Sequence, residues 1–329
     1  MLSQRLTLAL ETDAVSLPEE GVIAVIGPDG AMDLSMLPKD RIQVVQRHFP
    51  HHAAFQRQGF ETATQIGTSY AAAIVCLPRA KSEARQMLAA VRAATDGPIV
   101  IDGQKTDGID SILKEAKKRG QVGEVISKAH GKIFAVTDAN FSDWATTVQN
   151  SIGGGFKTAP GVFSADGVDP GSALLAETLP RKLPGRVVDL GAGWGFLSDA
   201  ILKREGVARV DLVESDHAAL EMARLNITDE RAVFHWADAR EFRPEALADH
   251  VVTNPPFHQG RSADPSLGRA FIASAAAMLT PRGQLWLVAN RHLPYEQALE
   301  DAFSTVQTLG QTPSFKLFHA ASPKRRRKG

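Results

Sequence analysis

The strongest constraint on the fold is an alternation of short apolar runs with helix-like segments, which occurs in both halves of the 329-residue chain. In the first half, the expected strands are 21–28, 41–48, 71–77 and 98–102, and the expected helices are 82–94 and 109–119. Residues 124–137 are typical of two strands around a tight His-Gly turn. Strands that alternate with helices form largely parallel sheets, so this half is predicted to be an α/β domain.

The second half repeats this order of elements. Its expected strands are 185–191, 209–214, 232–237, 249–253 and 283–289, and its expected helices are 172–179, 196–205, 217–226, 265–279 and 295–303. Two further strands, 306–308 and 314–320, are expected to pair antiparallel at the end of the sheet. The shared order predicts a duplicated domain: two tandem Rossmann-like units, each with a mostly parallel sheet, of seven strands where the terminal antiparallel pair is included.

A shift in composition predicts where the two domains meet. Residues 149–171 are rich in glycine and proline and have no long periodic run, which is typical of a connection. We therefore expect a first domain over 1–148, the connection, a second domain over 172–322, and a basic tail over 323–329. The connection also carries apolar residues, among them Phe156, Val162 and Phe163, which a plain linker does not need.

Composition narrows the class of protein. The formal net charge is zero, which argues against a general nucleic-acid coat protein but leaves room for a local basic surface. Cys76 is the single cysteine, so neither an intrachain disulfide nor a cysteine metal site is expected, and a cytoplasmic location fits. No apolar run approaches the roughly 20 residues that span a bilayer. The five positive side chains of 324–328 are either a solvated end or a phosphate contact.

A glycine-rich loop follows the first strand of the second half, in the stretch VVDLGAGWGFLS at 187–198. The residues expected to hold a nucleoside cofactor there are Asp189, Gly191, Ala192, Gly193 and Gly195. Glycines let the backbone approach a ligand, and the following helix offers free N–H groups. The dinucleotide fingerprint fails because its last small residue is a phenylalanine. An acid beside the loop suits a cationic ligand, so S-adenosylmethionine is favoured over NAD.

Two more strand ends add candidate cofactor contacts. Glu214 ends the second strand about 20 residues past the loop, where an acid accepts ribose hydroxyls in Rossmann-like sites. Asp216 is the alternative ribose contact. The plainer interpretation of Glu214 is that an acid at this position favours the start of the next helix. Asp238, with Ala239 beside it, follows the third strand and is expected to accept the adenine amino group. Asp238 could instead cap the next helix.

The stretch VVTNPPFHQG at 251–260 ends a buried strand with a rigid platform. Its expected catalytic residues are Asn254, Pro255, Pro256 and Phe257, and Asn254 also counts among the expected cofactor contacts. The Asn254 amide oxygen and the Pro255 carbonyl can accept hydrogen bonds from an exocyclic amine, and Phe257 can stack on a flat ring. His258 is interpreted as a spacer, and Trp194 either lines the cofactor or covers the sheet edge.

These motifs resemble those of class I S-adenosylmethionine-dependent methyltransferases that modify amino groups. The stretches PGVFSADGVDPGSALLAETLP, NPPFHQG, RHLPYEQAL and SFKLFHA are similar to the ribosomal RNA small subunit methyltransferase C family. The resemblance covers essentially the whole chain. It implies methyl transfer to guanine N2 in 16S ribosomal RNA of the small subunit. We also expect a monomer that needs neither a metal nor a membrane.

The first half is expected to be a degenerate copy, as in that family. It has VIGPDGAMD where the glycine loop belongs, VVQRHF without an acid, and VCLPRAK in place of the platform. We interpret it as a domain for RNA handling or folding. Three alternatives stay open: a large-subunit guanine-N2 enzyme, a protein-glutamine or adenine N-methyltransferase, and a non-enzymatic RNA-binding protein with a vestigial site.

Overall fold

The computed structural model describes residues 2–145, 150–256, 258–259, 262–263 and 265–324. The chain divides into two units, Met1–Val148 and Gln149–Gly329. Residues 149–171, which the sequence suggests as a connection, therefore belong with the second unit.

The first unit is built from short strands and helices in alternation. Its strands are β1 (Ile23–Ile26), β2 (Ile42–Val45), β3 (Glu61–Ala63), β4 (Ala72–Cys76), β5 (Ile99–Gln104), β6 (Gln121–Val122), β7 (Ile126–Lys128) and β8 (Gly131–Thr137). Its α-helices are α1 (Leu2–Glu11), α2 (Phe49–Arg57), α3 (Lys81–Ala94) and α4 (Ile109–Arg119). Short 3-10 turns cover Lys39–Arg41, Lys105–Asp107 and Ser142–Trp144.

The first sheet has the order β3-β2-β1-β4-β5-β8-β6, with β7 also paired to β8. The strands from β3 to β5 run parallel, and β8 is antiparallel to β5. Every residue of β1 and β4 is buried, because helices cover both faces of a parallel sheet. A buried ion pair fastens α1 to β5: the Nε of Arg5 lies 2.5 Å from Oδ1 of Asp102, and both side chains are fully buried. Burial raises the pKa of Asp102 to about 6.

The second unit repeats this plan with longer strands. Its strands are β9 (Asn150–Ser151), β10 (Lys157–Thr158), β11 (Lys182–Leu190), β12 (Glu205–Glu214), β13 (Ala232–Trp236), β14 (Ala248–Thr253), β15 (His258–Gln259), β16 (Ser262–Ala263), β17 (Leu279–Asn290), β18 (Phe303–Gln311) and β19 (Phe315–Pro323). Its helices are α5 (Pro170–Thr178), α6 (Phe196–Leu202), α7 (His217–Asn226), α8 (Pro265–Met278) and α9 (Glu296–Ala302).

Its main sheet has seven strands in the order β13-β12-β11-β14-β17-β19-β18. The first five strands run parallel, and β19 pairs antiparallel with both β17 and β18. This confirms the predicted fold class: two Rossmann-like units, the second with a seven-stranded sheet that ends in an antiparallel pair. The chain order reverses between β11 and β14, which is where ligands bind in open α/β sheets.

Residues 150–169 pack against the rest of the second unit. The hairpin β9–β10 and the loop that follows it contribute Ile152, Phe156 and Val162 to a small apolar cluster around Trp194. The Asn226 amide binds the backbone of Lys157 in both directions, at 2.7 and 2.9 Å. Phe156 and Val162, which a linker would not need, are thus explained by their packing in this cluster, whereas Phe163 is 54% exposed.

The structure differs from the sequence expectations mainly at the ends of elements. The turn between β7 and β8 is made by Ala129 and His130, both with positive φ, and Gly131 already belongs to β8; the predicted His-Gly turn is wrong by one residue. Helices α1 and α2 are not predicted from the sequence. No helix in the described part of the chain is long and apolar enough to cross a bilayer.

Candidate active site

The candidate residues of the second unit meet at one edge of its sheet because three neighbouring parallel strands end there. In the paired strands, Leu190 of β11 lies opposite Val213 of β12, and Asp189 lies opposite Val252 of β14. The next residues along the chain are therefore the glycine loop, Glu214 and Asn254. The Thr253 hydroxyl donates to the Leu190 carbonyl oxygen at 2.7 Å and so joins the platform strand to the loop strand.

The glycine loop has the backbone that its sequence demands. Gly191, Gly193 and Gly195 have φ values of 82°, 55° and 95°, a region that disfavours other residues. The N–H groups of Gly191 and Ala192 both donate to the Val213 carbonyl oxygen, at 2.9 and 3.0 Å. A Cβ placed on Gly193 would meet nothing within 4 Å, so this part of the loop borders open space. The loop is thus fixed on the sheet side and accessible on the other.

Asp189 lies fully buried beneath the loop. Its Oδ2 accepts a hydrogen bond from the Ser198 hydroxyl at 2.6 Å, whereas no group in the described residues bonds to its buried Oδ1. Burial raises the pKa of this carboxyl to about 7. A buried oxygen without a partner is costly, and a cationic ligand at the loop would relieve that cost.

Glu214 is tied directly to the glycine loop. Its Oε2 accepts from the Gly193 N–H at 2.8 Å, and its Oε1 accepts from the Asp216 N–H at 2.7 Å and from the Ser215 hydroxyl at 3.2 Å. Burial raises the pKa of Glu214 above its ordinary value. A carboxylate offers about four lone-pair positions, so Oε2 keeps one for a further donor. Asp216 caps α7 by accepting from the Ala218 N–H at 3.0 Å.

Asp238 sits just after β13 and is 6% exposed. Its carboxylate pairs with the Arg240 guanidinium, whose Nη2 lies 2.5 Å from Oδ2, and also accepts the Arg240 N–H at 2.9 Å. The sequence suggests either an adenine contact or a helix cap here, but residues 239–241 form a turn and no helix lies between Asp238 and β14, so the capping alternative is wrong. Ala239 is buried beside Asp238, and its carbonyl oxygen accepts from the Ser274 hydroxyl at 2.7 Å.

The platform begins with a half-buried Asn254, followed by a buried Pro255 and an exposed Pro256. The Asn254 Nδ2 donates to Oδ2 of Asp169 and to Oγ of Ser172, each at 2.8 Å. Phe257 and the side chain of His258 lie outside the described residues. Nothing in the sequence marks Asp169 and Ser172 as neighbours of Asn254, although DPGS is a typical helix start with its capping residue.

Trp194 of the glycine loop packs into the small apolar cluster described above. Its side chain is 3% exposed, and its Nε1 donates to the Phe163 carbonyl oxygen at 3.0 Å. The indole ring packs against Phe156 and Phe196. Trp194 thus packs between the segment after β9 and helix α7, and its polar atom is used by the loop after β10. Ser198, the partner of Asp189, is also missed from sequence, because its role depends on burial alone.

These features fit S-adenosylmethionine. A glycine loop with an open side, an acid at the next strand end, a buried acid with an unsatisfied oxygen, and a platform at the switch point of the sheet are brought together. In the described residues, no three His, Cys, Asp or Glu side chains are grouped to hold a metal ion. The fold and the site together define an S-adenosylmethionine-dependent methyltransferase of class I.

Comparisons with known proteins narrow this class. The model of the methyltransferase small domain family matches residues 153–319. A ribosomal RNA small subunit methyltransferase C from Alteromonas mediterranea is 29% identical, with 93% of this chain and 96% of the relative covered. Its counterpart from Hahella chejuensis is 31% identical over 74% of this chain and 75% of its own length. The chain belongs to the ribosomal RNA small subunit methyltransferase C family.

A solved structure agrees with this assignment over nearly the whole chain. It is the T. thermophilus 16S rRNA N2 methyltransferase for nucleotide G1207, in complex with S-adenosylmethionine and guanosine. It is 26% identical, has a TM-score of 0.81, and covers 98% of this chain and 91% of its own.

Proposed function

We propose that this chain transfers a methyl group from S-adenosylmethionine to the N2 amine of a guanine in 16S ribosomal RNA. The observation that carries the proposal is the Asn254 amide, whose nitrogen is bound on one side so that its oxygen remains to accept from an amine. The names of the curated relatives and of the solved T. thermophilus structure support the choice of RNA and of guanine N2.

The cofactor is assigned to the loop edge of the second unit. When bound, S-adenosylmethionine supplies a methyl group activated by its sulfonium charge. Glu214 accepts a ribose hydroxyl with the lone pair that its contacts leave on Oε2. Asp189 gives the loop a negative charge near the cationic part of the cofactor. Asp238 accepts the adenine amino group with a carboxylate whose direction Arg240 fixes, and Ala239 lines that place.

The platform acts on the amine of the target base. This amine is a poor nucleophile, because its lone pair is spread into the guanine ring. Hydrogen bonds from the amine to the Asn254 oxygen and the Pro255 carbonyl favour a tetrahedral nitrogen, whose lone pair then faces the methyl group. Acceptors that are fixed in advance lower the barrier without reorganising during the reaction. Pro256 stiffens the backbone, and Phe257 stacks on the base, which has to leave its helix to enter the site.

The first unit and the basic tail are assigned to the RNA. Candidate phosphate contacts are Arg79, Lys81 and Arg85 in the first unit, and Lys324 with the basic residues 325–328, which lie outside the described residues. Arg85 also lies over the Trp144 ring, with its Cζ 5.2 Å from the ring centroid. The proposal includes a cytoplasmic site of action and a monomer, since one chain carries both the platform and the cofactor edge.

Methyl transfer to purified substrates tests the proposal. The full chain would be incubated with labelled S-adenosylmethionine and with 16S RNA, 30S subunits or 23S RNA from a strain that lacks the enzyme. We expect N2-methylguanine at a single position of 16S RNA or of the 30S subunit. Label found in 23S RNA, in adenine or in protein would mean that the proposed substrate is wrong. No transfer to any of these substrates would favour the RNA-binding alternative.

A further inference from the structure

The amide of Asn254 has a single stable orientation, which two residues outside the platform determine. Its nitrogen donates to a carboxylate oxygen of Asp169 and to the hydroxyl of Ser172, each at 2.8 Å. An amide nitrogen carries two hydrogens, so these contacts use both. Turning the amide over would place its oxygen against the carboxylate oxygen of Asp169, and two acceptors repel. The amide oxygen therefore faces away from Asp169.

Asp169 is itself held firmly. The Ser172 N–H donates to Asp169 Oδ2 at 2.7 Å, which is the capping bond of α5, and Ser172 is 7% exposed. The backbone between them is also crowded: a Cβ on Gly171 would lie 3.0 Å from Asp169 Oδ2 and 3.0 Å from Phe315 Cε1. One carboxylate oxygen thus receives both the helix cap and the Asn254 amide, so the start of α5 and the platform are fixed relative to each other.

We propose that Asp169, with the help of Ser172, is the positioning residue that aims the Asn254 oxygen at the target amine, and that Asp169 is the reason why this platform begins with asparagine rather than aspartate. This inference rests on the proposed amine methylation. A carboxylate at position 254 would be as good an acceptor for the amine. It would, however, stand at hydrogen-bond distance from the Asp169 carboxylate, and two such groups cannot both be charged without mutual repulsion.

The charge arrangement can be exchanged between the two positions, which gives a decisive test. Asp169→Ala is expected to lower kcat by about tenfold to a hundredfold, by analogy with the loss of a partner that orients a metal-ligating side chain. Asp169→Asn keeps an oxygen for the helix cap and for the Asn254 amide, so its loss should be smaller. Asn254→Asp should lose most turnover. The double variant Asp169→Asn, Asn254→Asp leaves one carboxylate in place of two, which removes the repulsion, and should recover at least about tenfold over Asn254→Asp alone.

Two further readouts separate aim from folding. The dissociation constant of S-adenosylmethionine and the thermal midpoint should be similar in Asp169→Asn and in the double variant. The kcat of the double variant should nevertheless exceed that of Asn254→Asp. If Asp169→Ala turned over at the unaltered rate, or if the double variant were no better than Asn254→Asp, the positioning role would be wrong. Should the unaltered chain itself form no N2-methylguanine, the proposed function would fail instead, before any variant is compared.

Discussion

The two units have sheets of similar strand order but differ in the residues at the ends of their strands. By strand pairing, Ile26 of β1 takes the place that Leu190 takes in β11, since both lie opposite the last valine of the next strand. One residue further, the first unit has Gln46 where the second has Glu214. The Gln46 amide donates to the Pro28 carbonyl oxygen at 2.7 Å, whereas Glu214 accepts from the Gly193 N–H. Both units thus have a hydrogen bond between the strand end and the loop, but the strand-end side chain is the donor in the first unit and the acceptor in the second.

The platform position differs just as clearly. Val75 pairs with Ile26, so Cys76 corresponds to Asn254. The Cys76 thiol is buried, its Sγ contacts Met32 Sδ at 3.7 Å, and burial raises its pKa well above the usual range. In the loop, the Gly30 N–H is occupied by Nδ1 of His51 at 2.9 Å. A Rossmann-like sheet is therefore stable without its chemistry: burial of the strands maintains the fold, and only the strand ends carry the function.

The largest effect should come from the platform. Asn254→Ala removes an acceptor that acts on the amine in the transition state, so kcat should fall by about 10²–10³-fold while cofactor affinity is kept. Steady-state methylation of 16S RNA and calorimetry measure the two quantities. Cys76→Ala, at the corresponding position of the first unit, is the matched control and should methylate at the unaltered rate. Equal losses in both variants would end the distinction between the units.

The strand-end acid should have the next largest effect. Glu214→Ala leaves the Gly193 N–H without its acceptor and removes the ribose contact, so cofactor binding should weaken by roughly 1–3 kcal/mol. Gln46→Ala is the paired change in the first unit and should leave the cofactor affinity unaltered. Calorimetry should also give one cofactor per chain. A stoichiometry of two would contradict the interpretation of the first unit as degenerate.

A third prediction concerns pH and the two buried aspartates. The pKa of Asp189 is raised from 3.8 to about 7, so its proton leaves the native carboxyl near neutrality. The ionised form attracts a cationic ligand, and S-adenosylmethionine affinity should therefore rise about tenfold between roughly pH 5.5 and 7.5. Asp189→Asn should remove most of this dependence, and what remains is assigned to Glu214, whose pKa burial also raises. Asp102 pairs with Arg5 and has no part in the cofactor site, so its titration should not alter the profile.

The same shift affects stability, with a definite sign. Between about pH 4 and 7 the native state keeps a proton on Asp189 that the unfolded chain has released. The free energy of unfolding of the ligand-free protein should therefore fall as pH rises through this window. Subtracting the profile of Asp189→Asn from that of the unaltered chain cancels the contribution of Asp102. A difference that does not depend on pH would show that Asp189 titrates normally.

The smallest effect should come from the tail. Deleting residues 324–329 removes five positive side chains, and the salt dependence of RNA binding should weaken by about 0.7 in slope for each phosphate that the tail neutralises. The methylated nucleotide should stay the same, because phosphate contacts position RNA without specifying its sequence. Lys81→Glu tests the first unit in the same assay. An unchanged slope for Lys81→Glu together with a reduced slope for the deletion would assign the RNA to the second unit and its tail.

The sequence is informative where local pattern decides structure. Asp189, the three loop glycines, Glu214 and Asn254 are all expected at one edge, because strand ends of a parallel sheet meet there. Contacts between distant segments cannot be read in this way: Asp169 precedes Asn254 by 85 residues, and no periodicity links them. The role of Arg240 is missed because a surface arginine two residues from an acid is common. Trp194 cannot be placed from sequence, because its partner is a backbone carbonyl of the preceding loop.

The packing of residues 150–169 also decides how a catalytic fragment would have to be cut. The glycine-rich composition invites a cut before 172, which would remove the hairpin and the loop that cover Trp194. Such a fragment would expose an indole ring that is now 3% accessible, and would lack the carboxylate that holds the Asn254 amide. A fragment that starts at 150 keeps both. The segment whose composition looks most dispensable is therefore part of the smallest piece worth expressing.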